Sequence, residues 1–67
     1  MNLKLYSVMP NVNQTGWLVK PEDAVPENLY KIKDEAIEAA TKIAQQHSPS
    51  RVEILDKNHK LIETKMF

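Results

Sequence analysis

The chain of 67 residues contains no cysteine and one glycine, Gly16, which stands beside the one tryptophan, Trp17. The absence of cysteine excludes disulfides and leaves the two histidines without thiol partners for a structural zinc site. A single glycine also excludes the glycine-rich loops that bind phosphates and dinucleotides. We therefore expect neither a cofactor nor a metal ion. The length predicts a single domain, residues 1–67, with a small core that an oligomer interface could stabilise further.

A net charge of one sign is missing as well. Nine basic and nine acidic side chains cancel, so no overall field would draw the protein to DNA, RNA or an anionic membrane. The first eight residues contain one lysine among alternating apolar residues, and they include no apolar run of signal-peptide or transmembrane length. We therefore expect a cytoplasmic protein that does not associate with a membrane.

Groups that could perform catalysis do not occur in a recognised pattern. His47 and His59 show no ligand spacing to carboxylates such as Glu53 or Asp56. The serines and threonines lack a glycine-rich elbow or a histidine at motif spacing, so nucleophilic catalysis has no support. Three acids could hold a cation, but they suit the positive end of a helix equally well: Asp34, Glu35 and Glu38. We predict that the protein is not an enzyme and has no catalytic, cofactor-binding or metal-binding residues.

The first third of the chain predicts a β-hairpin. Apolar residues of both parities between Leu3 and Met9 indicate a strand whose two faces are both partly covered, and Pro10 ends it. A second strand begins at Trp17 and runs to Lys20. The turn is longer than the tightest type, so we expect Asn13 or Gly16 to adopt positive φ. The expected faces are Leu3, Leu5 and Met9 against Tyr6 and Val8, then Trp17 and Val19 against Leu18 and Lys20.

A loop from Pro21 to Pro26 and a short strand or extended lead-in over Leu29–Ile32 precede the clearest element, a helix over Lys33–His47. Its stripe of small and apolar residues predicts close packing on a sheet. Ser48-Pro49 stops the helix, because the residue before a proline avoids the α region. The residues of the stripe are Ala36, Ile37, Ala40, Ile43, Ala44 and His47.

The last third predicts a second hairpin. Arg51–Leu55 alternates as a strand with Val52 and Ile54 inward, Asp56–His59 forms a turn, and Leu61–Phe67 is the final strand. The register of that strand stays open, because a slip of one residue exchanges its faces. Either Leu61 and Phe67 or Ile62, Thr64 and Met66 point toward the helix.

The ordered combination of these segments resembles a family of short bacterial proteins classed only as a domain of unknown function. The segments are Met9-Pro10, then Gly16–Lys20, then Lys33–Ala40, and then Val52–Ile54 with a turn into a last strand. The resemblance spans nearly the whole chain and implies a small α+β fold, but no activity and no site residues. The expected architecture is an antiparallel or mixed sheet of four or five strands with one helix on one face, in the order β-β-(β)-α-β-β.

Two positions depart from the family's pattern. The family usually has a helix-capping threonine where this chain has Ile32, and the missing cap should cost the helix about 1 kcal/mol. The family also has a glycine in the last turn where this chain has His59, and we expect Asn58 to take the left-handed position instead.

One helix covers one face of a sheet, so the other face needs a partner, and a symmetric dimer would supply one. We therefore predict a non-catalytic interaction module, a homodimer or a binder of another protein. The candidate partner surface is Tyr6, Val8, Trp17 and Tyr30. If Trp17 points toward the helix, it belongs to the core, as we expect, and the partner surface then lies with Tyr6 and Val8 or with Leu3 and Leu5, whichever pair points away.

The alternative function is weak binding of single-stranded nucleic acid, with bases stacked on Tyr6, Trp17 or Tyr30. The neutral net charge argues against it. The lysines that would surround these rings are Lys4, Lys20, Lys31, Lys57 and Lys60.

Overall fold

A computed structural model describes residues 3–22, 24–26 and 28–67, and this part of the chain forms five strands and one helix. The predicted α+β class and element order are confirmed, and the segment before the helix does contain a short strand. The elements are β1 (Lys4–Pro10), β2 (Trp17–Pro21), β3 (Leu29–Tyr30), α1 (Lys33–Gln46), β4 (Ser50–Leu55) and β5 (Leu61–Met66). Of the loop expected from Pro21 to Pro26, Ala24–Pro26 is neither helix nor strand and Asp23 lies outside the described residues.

The strands form one mixed sheet in the order β3-β2-β1-β4-β5. β1 pairs with β4 in parallel, while the other neighbouring strands pair antiparallel. A parallel pair requires a crossover connection, and α1 provides it by carrying the chain from one half of the sheet to the other. β1 consequently lies at the centre, with two strands on each side.

The core lies between α1 and one face of the sheet. Ala36, Ala40 and Ala44 are fully buried, as the predicted stripe requires, and their small side chains bring the helix close to the strands. Ile43, however, is 36% exposed, and His47 is exposed because α1 ends at Gln46. These two predicted members of the stripe are therefore not core residues. The sheet contributes Tyr6, Val8, Val19, Val52 and Ile54 to the core.

The two ends of α1 differ in whether a side chain forms a hydrogen bond with their backbone. No side chain caps its N-terminus at Ile32, as the absence of the family's threonine predicted. At the C-terminus the buried Ser50 donates a hydrogen bond of 2.6 Å from Oγ to the Ala44 carbonyl oxygen. This bond satisfies a carbonyl in the last turn of the helix and fixes the start of β4 beneath it. No pattern in the sequence predicted this hydrogen bond.

Both turns place positive φ at residues other than those predicted. In the first turn Gln14 has φ 55°, not Asn13 or Gly16, because the Asn11 Oδ1 accepts from the amides of Thr15 and Gly16 and leaves Gln14 to reverse the chain. In the second turn His59 has φ 61°, not Asn58. That turn is a three-residue loop between Asp56 and Lys60, and the third residue of such loops adopts the left-handed conformation.

The φ of Gly16 is not positive, so the glycine is not needed for a left-handed conformation. It is needed because the position has no room for a side chain. A Cβ atom at this position would lie 2.7 Å from the Tyr30 carbonyl oxygen and 2.8 Å from the Leu29 Cδ1. Real Cβ atoms do not approach other atoms so closely. The glycine therefore lets β3 pair with β2 at the edge of the sheet.

A register shift between Ile54 and Leu55 decides the orientation of β5. Ile54 pairs with Glu63 and Leu55 with Leu61, so Ile62 is the additional residue. Thr64 and Met66 share the face of Glu53 and Arg51, away from the helix, whereas Phe67 packs against the core. The register that points Leu61 and Phe67 toward the helix is therefore right for Phe67. It is wrong for Leu61, which the register shift places opposite Leu55 on the other face.

Candidate interaction surface

The four residues predicted as a partner surface lie on the face that α1 covers. Tyr6 and Val8 are 6% and 0% exposed, so no partner can reach them in this fold. Trp17 and Tyr30 pair with each other on the same face, partly buried against the core. The Lys33 ammonium lies 5.1 Å from the centroid of the Trp17 ring, in cation–π range. Trp17 thus packs with the core, as expected. The assignment of Tyr6, Val8, Trp17 and Tyr30 to a partner surface has to be corrected, because strand parity turns all four side chains toward the helix.

The opposite face of the sheet, here called the open face, carries no helix among the described residues. Leu5 belongs to it, and Leu3, which is exposed, has the same parity, so of the two pairs considered this is the one that points away from the helix. The open face consists of Leu5, Ser7, Met9, Leu18, Lys20, Leu29, Arg51, Glu53, Leu55, Leu61, Thr64 and Met66.

One apolar residue from each strand forms a continuous row across the open face. Leu29 pairs with Leu18, Leu18 with Met9, and Leu55 with Leu61. Met9 and Leu55 follow the paired Val8 and Ile54 and so lie side by side. We call these five residues the apolar row. Leu29 and Leu61 at its ends are 53% and 51% exposed.

A second row of side chains on the open face, two residues along β1, β2 and β4 from the apolar row, is polar. Ser7 pairs with Lys20 on one side and with Glu53 on the other, and Glu53 pairs with Thr64. We call these four residues the polar row. Arg51 lies on the same face of β4, two residues before Glu53, and its Nη2 is 3.2 Å from the Glu53 Oε2. The Arg51 Nε is buried and has no hydrogen-bond partner among the described residues. The open face thus presents an apolar stripe beside a charged one.

The apolar row could not be read from the sequence. Leu18 and Met9 carried a signal, because alternation placed Leu18 opposite Trp17 and Val19 and Met9 opposite Tyr6 and Val8. The other members come together only through the pairing of non-consecutive strands, and strand order is not visible in a single sequence.

Outside the open face the structure offers little chemistry. Within residues 3–22, 24–26 and 28–67, no group of three metal-ligating side chains converges, and no helix is long and apolar enough to cross a membrane. An open depression beside α1 is lined by Tyr30, Glu35, Glu38, Ala39 and Lys42. The described residues of the open face include no aromatic side chain on which a nucleotide base could stack.

Asp56, in the turn between β4 and β5, has a carboxyl group with a perturbed pKa. Its Oδ1 accepts hydrogen bonds from the backbone amides of Lys60, at 2.9 Å, and Asn58, at 2.8 Å. These bonds, that from Lys60 above all, hold the pKa of the Asp56 carboxyl below its ordinary value, because they favour the charged form. The role is structural: the carboxylate organises the turn between β4 and β5.

These features define a small α+β domain with a five-stranded mixed sheet, one covering helix and an open, partly apolar face. Residues 6–67 match the family described as "Uncharacterized protein conserved in bacteria (DUF2188)", and the chain belongs to that family. It is similar to the "Uncharacterized protein YycD" of Bacillus subtilis (strain 168), with 43% identity over 54 residues, which cover 81% of this chain and 82% of that relative. No solved structure matches the chain.

Proposed function

We propose that this protein is a non-catalytic cytoplasmic interaction module that forms a homodimer through the open face of its sheet. The observation that supports the proposal is the apolar row, which crosses all five strands without cover from any described element. Burying apolar surface stabilises association by about 25 cal/mol per Å² before the costs of binding are counted. A domain this small also gains more from a partner than a larger one does.

Catalysis receives no support from the arrangement of polar groups. His47 and His59 are both exposed and lie at the end of α1 and in the β4–β5 turn, and neither makes an ion pair with a described carboxylate. Nucleic-acid binding also lacks support, because Tyr6 and Trp17 lie beneath α1. We therefore propose an interaction protein rather than an enzyme.

The test is the mass of the protein in solution as a function of concentration. Sedimentation equilibrium between about 10 μM and 1 mM, a range that spans weak interfaces, should show a monomer–dimer equilibrium. Replacing both Leu29 and Leu61 by Lys should shift it to monomer, since both residues are half-exposed and their substitution places charges at the ends of the apolar row.

The matched control is Ile32→Lys. Ile32 is 57% exposed, as apolar as the leucines, and lies at the start of α1 rather than on the open face. This variant should dimerise as the unaltered chain does. A strict monomer at 1 mM, or equal loss of dimer in the control, would contradict the proposal, and association only upon addition of a single-stranded oligonucleotide would favour the alternative function.

A further inference from the structure

We infer that the two copies meet about a two-fold axis that runs along β1, so that Lys20 of each copy lies opposite Glu53 of the other. The inference rests on the proposed dimer and specifies its arrangement. It follows from the register of the open face and from the positions of its charges.

The central place of β1 makes the apolar row complementary to itself. β1 is the third of five strands, so a two-fold rotation about it exchanges β2 with β4 and β3 with β5. Leucine then lies opposite leucine, and Met9 lies opposite its own equivalent. The facing pairs are Leu18 with Leu55 and Leu29 with Leu61.

The polar row favours the same axis. Lys20 on β2 and Glu53 on β4 occupy equivalent positions on the two sides of Ser7. The rotation therefore places each lysine opposite a glutamate, twice per dimer. A two-fold axis along the polar row, perpendicular to the strands, would instead place lysine opposite lysine and glutamate opposite glutamate. Like charges that face each other across an interface oppose association, so the charges argue against that arrangement.

Lys20 is available for this contact. Among the described residues the ion pairs are Lys42–Glu38 and Arg51–Glu53, and neither involves Lys20. Within the part of the chain that the structure describes, its ammonium donates one hydrogen bond, to the Pro21 carbonyl oxygen at 3.4 Å. Within one chain, Lys20 and Glu53 are two strand spacings apart, about 10 Å, because β1 lies between them.

The dimensions of the face also permit the contact. Packed sheets cross at about 30°. A residue on the strand next to the axis lies about 4.8 Å from it, so the crossing angle displaces it by about 2.5 Å from the residue that faces it. A lysine side chain can span that distance. The strands β1 to β5 contain 7, 5, 2, 6 and 6 residues, so at about 16 Å² per residue each face measures about 400 Å². Two such faces bury about 800 Å², the size of a weak or transient interface.

Charge reversal on separate chains tests the arrangement. Lys20→Glu alone, or Glu53→Lys alone, places like charges opposite each other at two points, and each should raise the dimer dissociation constant at least about tenfold. In an equimolar mixture of the two variants, a heterodimer has opposite charges at both points. Its dissociation constant should return to within about threefold of that of the unaltered protein. Lys57→Glu makes the same charge change in the β4–β5 turn and should leave dimerisation unchanged.

The outcomes separate this inference from the proposed function. If the unaltered protein dimerises but the mixture associates no better than the single variants, the axis is wrong and the homodimer stands. If the unaltered protein stays monomeric, the proposed function itself fails. Should either variant not fold, as circular dichroism would show, a mixture of labelled and unlabelled unaltered chains gives a second test. Nuclear Overhauser contacts between the Met9 methyl groups of the two copies are then expected, and their absence in a dimer would overturn the axis.

Discussion

Replacing Gly16, the residue before β2, by Ala should destabilise the protein although the φ of Gly16 is not positive. The added Cβ would lie 2.7 Å from the Tyr30 carbonyl oxygen and 2.8 Å from the Leu29 Cδ1. The leucine side chain can rotate away, but the carbonyl belongs to the backbone of β3. We therefore expect β3 to move away from β2, with which it shares only two residue pairs.

The expected magnitude is the difference between two opposing effects. Forcing an extra carbon into a packed site typically costs about 1–3 kcal/mol. Removing a glycine from the unfolded chain stabilises the fold by about 0.4–1 kcal/mol, without backbone strain here because the φ of Gly16 is not positive. The net destabilisation is about 1–2 kcal/mol, which for a domain of this size lowers Tm by about 5–15 °C.

Urea unfolding, followed by circular dichroism and by the fluorescence of Trp17, measures this effect. Adding Leu29→Ala to the variant identifies the contact responsible, because that substitution removes the side chain and leaves the Tyr30 carbonyl in place. We expect no recovery of stability relative to Leu29→Ala alone. A Gly16→Ala protein as stable as the unaltered chain would refute the steric argument, and full recovery in the double variant would assign the clash to Leu29.

Three further predictions concern the helix ends and the last turn. Ile32→Thr should stabilise the protein by about 1 kcal/mol in urea unfolding, since it supplies the absent N-cap, and no gain would mean that the cap geometry is not reached. Ser50→Ala should cost about 1–3 kcal/mol in the same assay because the hydrogen bond to Ala44 is buried, and a neutral effect would contradict its role. For Asp56, an NMR titration should give a midpoint below about 3.9, the unfolded value. Its stabilising contribution is therefore present above that pH and lost as the pH falls through the folded pKa, so Asp56→Asn should flatten the acid dependence of stability.

The strands and the helix were predictable where local patterns decide them. The alternation around Val52 and Ile54 gave β4, and the alanine spacing gave α1 to within one residue of its end. The positive-φ positions were not predictable from residue preference, because hydrogen bonds that the Asn11 side chain accepts and hydrogen bonds around Asp56 place positive φ at Gln14 and His59.

The partly apolar character of the second sheet face was predicted, but the residues named for a partner surface do not lie on that face. Apolar residues of both parities in β1 indicated that both faces of the sheet would be covered, and the open face is apolar in part. The choice of Tyr6 and Val8 was wrong, since it favoured aromatic character over the parity that Tyr6 shares with Val52 through the β1–β4 pairing. That pairing joins residues more than forty positions apart, and no local pattern records it.

Which segments become strands and helix depends on local patterns, because alternation, small-residue spacing and proline act within a few residues of chain. The small-residue spacing also indicated that α1 could lie close to a sheet. Three features arise from tertiary contacts instead: β1 lies at the centre, Gly16 makes room for β3, and five apolar residues from five strands form one row. These features depend on strand order and register, and both are fixed by contacts between segments that are far apart in the sequence.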